Sequence, residues 1–123
     1  METAMKMDRR KSEGSLIFDI NGDFDTRSAG PAKEEIRSAI LEGEKSVIIN
    51  LENVGYIDSA GLGTLVSALK TAKENNGNVY LTGLTAQVKM VVELTRLHHV
   101  FDIFPNVEAA LEGLRGRRAS EAQ

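Results

Sequence analysis

The chain contains no cysteine. That absence excludes a disulfide framework, a thiolate metal centre and a cysteine nucleophile together, and it is compatible with a reducing compartment. Aromatic residues are scarce too, with 4 Phe, 2 Tyr and no Trp, so the core has to be aliphatic. No apolar run approaches the roughly 20 residues a membrane helix needs, and no hydrophobic signal region follows Met1. No membrane association and a cytoplasmic location are therefore expected. Positive charge is not in excess either. Fifteen Lys and Arg against 18 Asp and Glu leave a net charge of -3, which gives nucleic-acid binding no support.

What is present describes a chain that folds. Hydrophobic residues make up 41% and charged residues 27% of the 123 positions, far from the profile of a disordered chain. The length suits one domain, and a chain of this size buries about two thirds of its unfolded surface.

Hydrophobic spacing divides the chain into short strands and longer helices. Leu16, Ile17, Phe18 and Ile20, then Val47 to Leu51, then Val79 to Leu81, read as strands, with a faint alternation at Met5 and Met7 for an N-terminal edge strand. Pro31 is placed in the first turn of a helix of about three turns that carries Ile36 and Ile40 and stops at Gly43. Leu62, Leu65, Val66 and Leu69 recur at i, i+3, i+4 and i+7, with Lys70 and Lys73 at the end the helix dipole favours for cations. Val88, Val91, Val92 and Thr95 repeat that spacing after Thr85, and Val107, Ala110, Leu111 and Leu114 repeat it after the capping residue Asn106. Strands alternating with helices imply an α/β fold with parallel pairing and right-handed crossovers. Residues 1–114 are expected to form the single domain, and Arg115 to Gln123 a polar, frayed tail.

The most informative segment joins a buried strand to the strongest helix: Leu51-Glu52-Asn53-Val54-Gly55-Tyr56-Ile57-Asp58-Ser59-Ala60-Gly61-Leu62-Gly63. Ser59 falls at or next to the helix N-cap. Either its hydroxyl accepts a bond from a first-turn N–H while Gly61 and Gly63 permit close packing, or it is an exposed acceptor of phosphate, which would meet free N–H groups and a positive dipole end.

Other chemistries fit less well. The segment lacks the Gly-Lys-Ser/Thr ending of a phosphate loop and the third glycine of a dinucleotide fingerprint. A hydrolase elbow would need glycine where Ile57 stands, although Ser59, Glu93 and His98 could supply a triad in the right order. His98 and His99 are adjacent, so regular structure would not aim both at one metal ion. Asp23 and Asp25 follow Gly22 at a strand end, where paired carboxylates suggest acid/base work or Mg²⁺, or simply a solvated turn. Arg117-Arg118-Ala119-Ser120 has the form of a basophilic kinase site, a composition common in tails.

From about Ile17 to Leu114 the chain resembles the STAS domain family, and within it the small bacterial anti-sigma factor antagonists. The strongest match is Leu51-x-x-Val54-x-x-Ile57-Asp58-Ser59-x-Gly61-Leu62-Gly63, with further matches at Gly22-Asp23-Phe24-Asp25, Gly77 with Val79 and Leu81, Gly83-Leu84, and Leu94 to Phe101. Pro31 lies one residue later than the family's usual proline, and Arg96 replaces a common glycine. The resemblance implies a mixed, largely parallel sheet of four to five strands with about four helices packed mainly on one face. It implies that Ser59 is the regulatory phosphoserine and that Asp23, Asp25, Asp58, Ser59, Ala60, Gly61 and Gly63 form the partner surface. The implied partners are an anti-sigma factor that is itself a serine kinase, bound when Ser59 is unmodified so that the sigma factor is freed, and a PP2C-type phosphatase that restores the antagonist. No cofactor or metal and no catalytic role are implied. A STAS module of a stress-signalling complex or lipid transporter, and a small serine hydrolase, are the alternatives.

Overall fold

The computed structural model describes residues 5–121. In chain order the elements are β1 (Lys6–Ser12), β2 (Ser15–Asn21), α1 (Thr26–Leu41), β3 (Ser46–Asn53), α2 (Ser59–Glu74), β4 (Asn78–Thr82), α3 (Ala86–Leu94), a 3-10 turn (Leu97–His99), β5 (Asp102–Phe104) and α4 (Val107–Glu121). The sheet order is β1-β2-β3-β4-β5; β1 runs antiparallel to β2, and every other pair is parallel. This is the mixed, largely parallel α/β sheet the sequence implied. No helix among the described residues is long and apolar enough to cross a membrane.

Alternation along the strands sets the two faces. Leu16, Phe18 and Ile20 of β2, Val47, Ile49 and Leu51 of β3, and Val79 and Leu81 of β4 point into one core, which α1, α2 and α3 cover with residues such as Ile36, Leu65 and Val92. Ile17, Ile48 and Tyr80 point the other way and are covered by Ala110, Leu111 and Leu114 of α4. Three helices thus lie on one face and one on the other. Strand β1 is charged along its length, which suits an exposed edge, and it joins β2 through Glu13 and Gly14, both at positive φ as a tight hairpin turn of the primed types requires.

The structure differs from the sequence reading in several places. Helix α1 begins at Thr26, so Pro31 lies inside it and not in its first turn; a capping box between Asp25 and Ser28 starts the helix earlier, and the exposed proline forgoes one backbone bond. Val66 of α2 is 41% exposed, whereas Leu62, Leu65 and Leu69 are buried. Strand β5 was not anticipated, since three residues carry no readable period. Helix α4 continues through Glu121 instead of fraying from Arg115. Its last turns are tied back: Arg115 pairs with Glu13 at 2.8 Å, and Arg118 donates to the Glu13 carbonyl.

Candidate functional site around Ser59

Two loops meet at the carboxyl ends of β2 and β3. The loop after β3 is drawn inward by the buried side chains of Val54 and Ile57. The loop after β2 lies alongside it, joined by an isolated parallel bridge between Phe24 and Ile57, with Phe24 N–H donating to Tyr56 O at 2.9 Å and Asp58 N–H donating to Phe24 O at 3.3 Å. Helix α3 holds the other side. Gln87 accepts from Ile57 N–H at 2.9 Å and donates to Ile57 O at 3.3 Å, and the Thr85 hydroxyl donates to Val54 O at 2.7 Å. The backbone leading into α2 is therefore fixed from two directions.

Asp58, not Ser59, is the N-cap of α2. Its Oδ1 accepts from Ala60 N–H at 2.9 Å and Gly61 N–H at 3.1 Å, and its Oδ2 accepts from both the N–H and the hydroxyl of Thr26, each at 3.1 Å. Burial pushes the Asp58 carboxyl up, but the bonds from Gly61, Thr26 and Ala60 outweigh it and hold the group below its ordinary value, so it is ionised at neutral pH. Ser59 is then the first helical residue, exposed, and its hydroxyl has no hydrogen-bond partner among the described residues.

The remaining candidate residues separate into surface and scaffold. Gly61 is buried, and a side chain there would overlap the carbonyl oxygen of Phe24, so its lack of a side chain lets α2 approach the β2 loop. Gly63 is exposed with open space where a Cβ would stand, and Ala60 is half-buried. Asp25 caps α1 and pairs with Arg27 at 2.7 Å, and that guanidinium bond is the main reason its carboxyl lies below the usual range. Asp23 is exposed and 3.9 Å from the same Arg27. The two carboxylates thus converge on one cation, which argues for a structured turn over an acid/base pair. Sequence reasoning missed Thr26, Arg27 and Gln87; only Thr26, directly after a capping aspartate, carried any local signal.

No His or acidic side chain hydrogen-bonds to Ser59 among the described residues, which leaves the triad of Ser59, Glu93 and His98 without geometric support. The His98 and His99 rings meet at a tilt, with centroids 3.9 Å apart, in the exposed 3-10 turn. Arg96, just before that turn, sits at φ 62°, ψ 18°, a left-handed conformation that favours glycine.

The family model described as STAS domain matches residues 6–110. The chain belongs to the STAS domain family. Among curated relatives, the anti-sigma-B factor antagonist of Staphylococcus aureus (strain NCTC 8325 / PS 47) is 28% identical to this STAS domain over 89 residues, covering 72% of this chain and 82% of the relative. Among solved structures, an anti-sigma factor antagonist from Mycobacterium paratuberculosis is similar with a TM-score of 0.84 at 18% identity, covering 94% of this chain and 99% of that one. The phosphorylated form of the Bacillus cell fate determinant SpoIIAA is similar with a TM-score of 0.70 at 18% identity, covering 90% and 99%. At these identities the two structures speak for a common fold.

Proposed function

We propose that this STAS domain is an anti-sigma factor antagonist switched by phosphorylation of Ser59. With Ser59 unmodified it binds an anti-sigma factor serine kinase and so frees the sigma factor; phosphate on Ser59 releases the kinase, and a PP2C-type phosphatase resets the cycle. The observation that carries this reading is the hydroxyl of Ser59, exposed and unused by the fold because Asp58 does the capping. The antagonist relatives, one of them solved as a phosphoprotein, support the same direction.

The proposed kinase surface follows the exposed side of α2, where Ser59, Gly63 and Val66 recur at i, i+4 and i+7, flanked by Tyr56 and Asp23. Phosphate adds roughly -1.5 to -2 charge beside a carboxylate that is already ionised. The Ala60 and Gly61 amides, which a phosphate at a helix start would otherwise take, are occupied by Asp58, so the new charge stays largely uncompensated within the domain. In a closing interface that charge brings repulsion and desolvation cost. Incubation with the cognate kinase and ATP, read by mass spectrometry, tests the assignment: one phosphate on Ser59, and none in Ser59→Ala. Phosphate mapped to Ser28, Ser67 or Ser120 instead would overturn it.

A further inference from the structure

Between α3, the 3-10 turn and β5 lies a half-open cavity of about 340 Å³. Its wall is apolar, made by Leu84, Val92, Ile103, Phe104 and Pro105, and three titratable side chains stand around it: Lys89, Glu93 and His98. It opens beyond the carboxyl ends of β4 and β5, the edge at which parallel α/β sheets place ligands, and an apolar pocket with a few convergent polar groups is the usual form of a small-molecule site. None of the residues around Ser59 lines it.

The polar groups are not used by the fold. Lys89 and Glu93 stand at i and i+4 on α3, a spacing at which such side chains commonly pair, yet neither side chain makes an ion pair or hydrogen bond among the described residues, and the His98 ring meets only the tilted ring of His99. The surface beside the cavity is also unusual. Met90 and Leu94 are 53% and 77% exposed on the side of α3 away from the buried Val88 and Val92, and Val100 is 58% exposed. Arg96 adds a cation next to the 3-10 turn, in the strained conformation described above.

We propose that this cavity binds a small amphipathic anion: a monocarboxylate whose apolar body fills the pocket against Ile103 and Phe104 and whose head is met by Lys89 and His98. Two donors face one carboxylate, so a negative head is favoured, and Glu93 one turn from Lys89 disfavours a doubly charged one. The site is independent of the Ser59 switch.

Amide chemical-shift titration of the full chain with hexanoate, hexan-1-ol and hexylammonium tests it. The expected result is saturable shifts confined to Leu84, Lys89, Ile103, Phe104 and their neighbours, with hexanoate binding about fivefold tighter than the alcohol and hexylammonium weakest. Lys89→Glu, at an exposed position, should abolish the preference for the carboxylate with an unchanged melting temperature, and the uncharged Ile103→Gln, which removes apolar wall without adding charge, should weaken binding of all three. Shifts that do not saturate, equal binding of hexanoate and hexan-1-ol, or a carboxylate preference that survives Lys89→Glu would overturn the proposal.

Discussion

Thr26 gives both its backbone N–H and its hydroxyl to a single oxygen of Asp58, each at 3.1 Å, across 32 residues of sequence. The other oxygen of Asp58 caps α2. One carboxylate thus fastens the starts of α1 and α2 together, directly beside the serine proposed as the switch.

Asp58→Ala is expected to lower stability by about 0.5 to 2 kcal/mol, the range for losing a helix cap. Urea unfolding checks this. Thr26→Val, which removes one bond to the same carboxylate, should cost less, and the double variant should cost less than the sum because both remove the same contact.

The same carboxylate predicts a pH dependence. Because its folded pKa lies below the ordinary 3.8, its contribution is fully present above the unfolded value and is lost as pH falls through the folded one. Asp19, lowered mainly by its bond to Arg10, and Asp25, lowered mainly by Arg27, act in the same direction. Unfolding midpoints should therefore hold steady from neutral pH to about pH 4 and drop below it. The drop should be shallower in Asp58→Asn.

The two glycines of α2 should behave differently. Gly61→Ala drives a methyl group into the Phe24 carbonyl and the Ile57 side chain and should destabilise by about 1 to 3 kcal/mol, as overpacking does. Gly63→Arg meets open space, so it should fold normally and weaken kinase binding by obstructing the surface beside Ser59. Thermal melts with binding titrations separate the two effects.

Legibility in the sequence followed the strength of local patterns. Helix α2 could be read because Leu62, Leu65 and Leu69 repeat at helical spacing, and β3 because its short run from Val47 to Leu51 is rich in β-branched residues; the segment carrying Asp58 and Ser59 stood out because it joins the two. The start of α1 was misjudged because a proline is a louder signal than the Asp25–Ser28 box that in fact begins the helix. The cap itself is local, since Asp58 bonds the amides of Ala60 and Gly61, and two good capping residues stood side by side in that window; what no local window contains is the bond from Thr26, at the start of α1, to the other oxygen of Asp58. The burial of Gly61 likewise depends on where Phe24 lies, and β5 was too short to show a period.

Arg96→Gly should leave stability unchanged or raise it by up to about 1 kcal/mol, since glycine relieves the left-handed strain while gaining freedom in the unfolded chain. Guanidinium unfolding of the two proteins decides this. A clear loss of stability would mean that the arginine makes contacts that outweigh its strain.

The central claim is that phosphate on Ser59 releases the partner by local charge and leaves the fold intact. Calorimetric titration of the anti-sigma factor kinase with phosphorylated and unmodified protein, with melting curves for both, tests it directly. The expected result is an affinity at least about a hundredfold lower for the phosphoprotein, a difference of ~2.7 kcal/mol, with closely similar melting temperatures. Equal affinities, or a loss of binding that only tracks a collapse in melting temperature, would contradict it.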